Sequence, residues 1–356
     1  MSKQSGLSLP RLLPRAAGRS RRPAVSVVVP ARDAAPYLGA ALSSLTRQGI
    51  ASRRLEVIVV DDGSLDETAQ IAESFAPRLP GLRILRHDEP VGLAASRNHA
   101  LAEARGEHLA FLDADDWLWP GTLAAARATR QRLDVDFVVF DQVQVTGFAR
   151  TPRRAPEHRR EVALDPRAAI LPTGRTTMVN YPNACVRLAH RRLLDTGLLD
   201  FDPALRTAED RPWAWRLHLR ATSFAVASEG RYGYRRDVPG SLTHVSDERQ
   251  LDVLAAYASI AAMLDDDAEG ARLLPKAVRD LFVVLVHHLG PDGPLTGELR
   301  TRLATGANGL LSTLDADVVA RQLATLGDER AQVLRSAGLR SAGLRDKELY
   351  SAGPAA

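Results

Sequence analysis

Asp113, Asp115 and Asp116 fall within four positions, directly after the apolar run His108-Leu109-Ala110-Phe111-Leu112. Carboxylates this close repel one another unless a cation or the donors of a bound ligand neutralise them, and Asp is a poor strand former. A hard divalent cation suits that charge, because magnesium commonly takes one or two carboxylates and leaves its other positions to water and substrate phosphates. An acidic turn leading into a helix N-terminus is the competing reading, since Asp is favoured there as well. A second acidic pair, Glu209-Asp210, precedes Arg211-Pro212-Trp213. Pro212 fits the first turn of a helix running towards Leu219, so Asp210 taken alone reads as a helix cap.

These carboxylates need elements to hold them. Val25-Ser26-Val27-Val28-Val29 is a β-branched run expected to form a buried strand stopped by Pro30, with helical spacing at Leu38, Leu42 and Leu45 after it. Glu56-Val57-Ile58-Val59-Val60 predicts a second strand ending in Asp61-Asp62-Gly63, and Ser64 with Glu67 forms a capping-box pattern for the next helix. A short strand over 82–85, a loop at Pro90-Val91-Gly92, a helix over 94–104 and the acidic strand complete four strands separated by helices. That alternation predicts an α/β fold with a mostly parallel open sheet. Ligands of such sheets bind outside the carboxyl ends of the strands, where Asp33, Asp61, Asp62, Asp113 and Asp115 all fall.

The first loop, Pro30-Ala31-Arg32-Asp33-Ala34-Ala35-Pro36, lacks the glycines of a dinucleotide-binding turn, and no Gly-x4-Gly-Lys segment occurs. An aspartyl phosphatase of the haloacid dehalogenase type carries its Asp-x-Asp pair after the first strand, whereas here it follows the fourth. Beyond Asp116, Phe137 to Val145 predicts an edge strand, and the Arg- and Pro-rich stretch 149–160 a mobile loop on the acceptor side. From about 246 the chain reads as helices, with Leu251, Leu254, Ala255 and Ala258 on one packing face and Val278, Leu281, Phe282 and Leu285 on another.

The chain has 356 residues, 45% hydrophobic and 25% charged, enough for one large domain and an appendage. Its net charge of +4 is local: residues 1–24 hold six basic residues and no acid, so the remainder carries −2. A nearly neutral body excludes a nucleic-acid footprint. The basic tail, broken by Pro10 and Pro14, is expected to be disordered, or to rest on anionic headgroups. The single cysteine, Cys185, excludes internal disulfides and reads as packing. The apolar run 281–289 is far shorter than the roughly 20 residues a spanning helix needs.

The ordered set Val25 to Asp33, Val59-Val60-Asp61-Asp62-Gly63-Ser64, Gly92-Leu93-Ala94-Ala95-Ser96-Arg97-Asn98, Gly106-Glu107 leading to Asp113-Ala114-Asp115-Asp116, and Glu209-Asp210 resembles the family 2 glycosyltransferases. The resemblance implies a GT-A fold and inverting transfer from a nucleotide sugar, with a UDP-sugar as the expected donor and a glycan or lipid-linked acceptor. It implies that Pro30 and Asp33 border the nucleotide base, Asp62 accepts from its ring nitrogen, Arg97 faces base or diphosphate, and Asp113 faces the ribose. Asp115 would hold Mn2+ or Mg2+ on the diphosphate, Asp210 would be the catalytic base, and His244, in a segment like the family's closing one, a further metal ligand. Arg32 stands where many members have an aromatic or small polar residue. The implied organisation is a basic tail over 1–23, a GT-A domain over 24–245, a helical region over 246–345 and a frayed end over 346–356. The expected location is cytoplasmic, with peripheral contact at the inner membrane face, in surface polysaccharide or glycoconjugate synthesis. A non-catalytic nucleotide-sugar-binding protein and a metal-dependent nucleotidyl or phosphoryl transferase are the alternatives.

Overall fold

The structure, a computed structural model, describes residues 22–236, 238 and 245–339. Its first part alternates as β1 (Val25–Ala31), α1 (Ala35–Leu45), β2 (Leu55–Asp62), α2 (Thr68–Ser74), β3 (Leu82–His87), α3 (Leu93–Glu103) and β4 (His108–Phe111). These four strands are parallel, with β1 between β2 and β4 and β3 outside β2. Every residue of β1, β2 and β4 is buried, as strands covered by helices on both faces require. Pro30 does not stop β1. The strand runs on to Ala31 opposite Asp61. The pairing with β4 has already ended at Val28, so a missing donor at Pro30 costs little there. The expected capping box is also absent: α2 starts at Thr68 without a side-chain cap, and Ser64 Oγ instead accepts from the Asp33 N–H at 3.0 Å.

The second part contains β5 (Trp117–Leu118), α4 (Thr122–Leu133), β6 (Phe137–Thr146), β7 (Ala149–Arg153), β8 (Arg187–His190), α5 (Arg192–Asp195), α6 (Asp210–Arg220) and β9 (Phe224–Arg235). The sheet order is β3-β2-β1-β4-β8-β6-β9-β5, with β7 on β6. β8 is antiparallel to both β4 and β6, so β6 runs in the same direction as the first four strands. It is an interior strand, not an edge, because β9 flanks its other side in parallel. The edge belongs to β7, which makes a hairpin of part of the stretch 149–160 that composition marked as a loop.

Five helices follow: α7 (Asp252–Asp265), α8 (Gly270–Leu289), α9 (Gly297–Ser312), α10 (Ala316–Ala324) and α11 (Asp328–Ser336). They build a second core that also takes in Ile170, Val179, Trp215 and Leu219. The predicted face of α8 is buried, but α7 is rotated from its predicted stripe. Val253, Ala256, Tyr257, Ile260 and Leu264 point inward, while Ala255 and Ala258 are exposed. Arg167 clamps this region to the sheet. Its guanidinium grips Asp267 at 2.6 and 3.0 Å and donates to the Leu219 carbonyl at the end of α6 at 3.0 Å.

The hydrogen bonds from Arg167 hold the Asp267 carboxyl down at about 2, against an ordinary 3.8. A depressed pKa contributes stability above the ordinary value and loses it as the pH falls through the folded one. Arg167 is 27% exposed, which weakens the pair by solvent screening. Asp267→Asn is expected to lower stability by about 1–2 kcal/mol at neutral pH. In urea unfolding the difference between wild type and variant should close between about pH 4 and pH 2.

Candidate active site

One crevice of about 1190 Å³ gathers Pro30, Asp33, Asp62, Arg97, Asp113, Asp115 and Asp210. All but Arg97 and Asp210 lie at or just past the carboxyl ends of β1, β2 and β4, the position where open α/β sheets bind ligands. Arg97 comes from α3 and Asp210 from the start of α6. His244 lies outside the described residues.

At the β1–β2 end the loops brace one another. Asp33 sits in the left-handed region at φ 47°, and its Oδ1 accepts from the Leu65 N–H at 2.8 Å. Asp62 closes the loop after β3, accepting from the N–H groups of Val91 and Gly92 at 2.9 Å each and pairing with His87 Nδ1 at 2.8 Å. Burial pulls its pKa up, but these hydrogen bonds outweigh burial and hold it below the carboxylate range. Asp62 therefore shapes the wall of the crevice while facing it. The glycines serve this closure: Gly63 takes φ 69°, and a Cβ there would lie 2.9 Å from the Pro90 ring.

After β4 the three carboxylates separate into different environments. Asp113 accepts from Arg97 Nη2 at 2.9 Å. Asp116 is buried and tied to β9, accepting from the Tyr232 hydroxyl at 2.5 Å and the Arg235 N–H at 2.7 Å. Burial, reinforced by Asp115 and Asp113, pushes its carboxyl well above the usual range. Asp115 has no side-chain donor among the described residues, since Arg235 Nε reaches its main-chain carbonyl at 2.9 Å. Burial and then the charge of Asp113 raise Asp115 to about 6. No cluster of three or more ligating side chains occurs among the described residues. A divalent cation here would rest on one or two carboxylates and on substrate phosphates, which fits magnesium or manganese, and its charge would relieve the repulsion at Asp115.

The loop before α6 divides its acidic pair. Ala208 adopts φ 59°, an uncommon conformation for a residue with a Cβ. Glu209 turns inward to accept from Arg97 Nη1 at 2.8 Å, and Asp210 takes the first helical position, half-buried and facing the crevice. Neither side chain caps α6, so the cap reading of Asp210 does not describe this helix. Among the described residues nothing donates to the Asp210 carboxylate. Arg97, 3% exposed, thus carries two carboxylates. Burial disfavours its charge, but Asp113 and Glu209 more than restore it and keep it protonated. Burial pushes Glu209 upward against the pull of that guanidinium.

Several contributors carry no motif in the sequence. Gln250, Val253, Val284, His287 and His288 line the far wall of the crevice from the helical region. Arg187, buried within the sheet, donates to the carbonyls of Tyr181 at 2.6 Å and Pro182 at 3.0 Å and so fixes another lining segment. A lone arginine inside the apolar run Ala184-Cys185-Val186-Arg187-Leu188-Ala189 is the sequence signal that could have pointed to it. Tyr232 and Arg235 belong to the stretch that resembles the family's closing segment, and here the Tyr232 hydroxyl and the Arg235 N–H are the partners of buried Asp116.

The family model described as glycosyl transferase family 2 matches residues 26–200. The chain is 28% identical to the glycosyltransferase EpsJ of Bacillus subtilis over 65% of its own length and 66% of that protein's. It is 29% identical to the poly(ribitol-phosphate) beta-N-acetylglucosaminyltransferase TarS of Staphylococcus aureus, over 69% of this chain but 41% of TarS. In structure it is similar to TarS 1–349 in complex with UDP-GlcNAc, with a TM-score of 0.68 and 23% identity over 88% of this chain and 90% of that one. A mannosyltransferase of Pyrobaculum calidifontis in complex with GDP-Man and Mn2+ matches with a TM-score of 0.51 and 21% identity, over 92% and 88% of the two chains.

Removing Arg97 would leave Glu209 and Asp113 facing each other without a counter-charge. Arg97→Leu is expected to destabilise the fold by about 3–5 kcal/mol. Adding Glu209→Gln should recover part of that loss, because one of the stranded charges is then gone. A double-mutant cycle by urea unfolding reads both, and additive losses would contradict the bridge.

Proposed function

The chain belongs to the family 2 glycosyltransferases, and on that premise we propose that it moves a sugar from a UDP-sugar to an acceptor hydroxyl with inversion at the anomeric carbon. The observation that carries this reading is the placement of an uncapped Asp210 in the same crevice as Asp113 and Asp115. Asp210 accepts the proton of the acceptor hydroxyl as that oxygen bonds to the anomeric carbon. The bond from that carbon to the diphosphate oxygen breaks, and its electron pair leaves with the nucleoside diphosphate. The transition state resembles an oxocarbenium ion, as in other displacements at this carbon. Mn2+ or Mg2+, when held by Asp115 and the donor phosphates, supplies charge neutralisation of the leaving group.

Donor and acceptor occupy different walls. Pro30, Asp33, Asp62 and Asp113 border the nucleotide, and Arg97 acts by holding Asp113 and Glu209 in place. The wall from the helical region faces Asp210 and receives the acceptor. The similarity to TarS, whose solved complexes hold UDP and UDP-GlcNAc, supports a uridine nucleotide. A surface glycan or lipid-linked chain is the acceptor class we favour. No helix among the described residues is long and apolar enough to cross a membrane, and the proposed site of action is the cytoplasmic side of the inner membrane face.

Two substitutions test the division of labour. Asp210→Asn keeps the shape of the side chain but cannot take a proton, so turnover should fall by roughly 10²–10⁴ while donor affinity stays near wild type. Wild-type turnover in a folded Asp210→Asn protein would move the base elsewhere, with Glu209 next to be tested. Asp115→Ala should abolish the gain in donor affinity on adding Mn2+ or Mg2+, read by calorimetry with and without metal. Unchanged metal-dependent affinity would remove Asp115 from that role.

A further inference from the structure

The β6–β7 hairpin has a composition that the transfer reaction does not use. Its tip, Gly147-Phe148, turns with Gly147 at φ 54°, and the Phe148 ring is fully exposed at 101%. Every residue of β7 is exposed. From Thr146 to Ala155 the chain carries Arg150, Arg153 and Arg154 and no acid. None of the three forms an ion pair with a described residue. Arg150 Nη1 donates to the Phe148 carbonyl at 3.1 Å and Arg153 Nε to Gln144 at 3.2 Å, both neutral partners. An exposed phenyl group costs free energy in water, and three arginines beside it make a basic or purely apolar partner unsuitable.

Strand direction places the tip. Val138 is level with Leu188 and therefore with Ala110 of β4. Phe140–Thr146 then carries β6 on the order of 20 Å along its path past the end of β4, at about 3.3 Å per residue. The hairpin overhangs the crevice mouth, which Gln142 and Gln144 line. Leu65, 96% exposed, and Val91, 51% exposed, project from the loops after β2 and β3 at the same carboxyl end of the parallel strands. Three of the five large apolar side chains exposed among the described residues thus share this end of the sheet. A second copy of β7 is a poor occupant, because Pro152 lacks a donor and the arginines would repel their own kind.

We infer that the β6–β7 hairpin is a membrane-docking element: Phe148 enters the interface of an anionic bilayer, Arg150, Arg153 and Arg154 meet the headgroup phosphates, and the crevice mouth is turned towards the lipid surface. A protruding aromatic tip with a cationic collar matches the interface, where apolar and anionic groups lie within a side-chain length of each other. The inference stands apart from the identity of the sugar and of the acceptor.

The test is cosedimentation of the full chain with vesicles of phosphatidylcholine alone or mixed with phosphatidylglycerol. Because the basic residues near the start of the chain could bind the same vesicles, the background carries Arg15, Arg19, Arg21 and Arg22 replaced by Gln. In that background binding to the mixed vesicles should persist, and Phe148→Ser should weaken it about tenfold. Replacing Arg150, Arg153 and Arg154 by Gln together should weaken it about a hundredfold. Phe148→Trp should shift its emission to shorter wavelength on adding mixed vesicles only. Unchanged binding by Phe148→Ser, equal binding to phosphatidylcholine alone, or no binding once Arg15, Arg19, Arg21 and Arg22 are neutralised would each overturn the inference. Weaker retention of Phe148→Ser on inorganic polyphosphate, with vesicle binding intact, would assign the hairpin to a soluble anionic polymer and overturn it as well.

Discussion

The crevice end of this molecule depends on one buried guanidinium. Arg97 reaches Asp113 after β4 and Glu209 before α6, two positions nearly a hundred residues apart, from a helix that touches both. Desolvating three charged groups is costly, and such an arrangement stabilises only while all its members are present. Its value lies in geometry. The bridge sets the loop that donates Asp210 against the loop that donates Asp115, which nonpolar packing could not do with the same directional control.

The loop carrying Glu209 and Asp210 is held from its other side by the helical region. Thr207 Oγ1 donates to the Arg249 carbonyl at 2.6 Å, and Arg206 grips Asp252 at the start of α7 through contacts of 2.8 and 3.1 Å. Between these anchors Ala208 sits at positive φ, a conformation that persists only where the surroundings over-determine it. The helical region therefore supplies more than an appended core. It fixes the strained turn that separates Glu209 from Asp210 and also provides the far wall of the crevice.

Much of the first half of the fold was legible, because β-branched runs alternating with 3.6-residue periodicity leave few arrangements for a parallel sheet. What escaped were features set by long-range partners. Strand β6 read as an edge because its polar residues alternate late in the strand, yet Gln142 and Gln144 alternate towards the crevice and not towards bulk solvent. Helix α7 is nearly uniform in apolar content, so spacing alone could not choose its face. Tyr257, buried near Arg211 and Asp280, turns that face inward, with the charge of Arg211 opposing the upward push of burial on its hydroxyl. The Ser64 and Glu67 pattern failed for the same kind of reason, since the Ser64 hydroxyl found Asp33, 31 residues away, as its partner.

The acidic run shows how one local pattern acquires three environments from its surroundings. Asp113 is neutralised by Arg97, and Asp116 is satisfied by Tyr232 and the Arg235 N–H. Arg97 arrives from α3 and Tyr232 with Arg235 from β9, so spacing within the run cannot say which carboxylate is left over. The one left over is Asp115, whose raised pKa comes first from burial and then from Asp113. A carboxylate kept partly buried, beside a like charge and without a side-chain donor among the described residues, gains more from an incoming cation than either neighbour does. The three environments thus follow from which donors the fold delivers to each acid, and with its two neighbours satisfied Asp115 is the one left without a side-chain partner among the described residues.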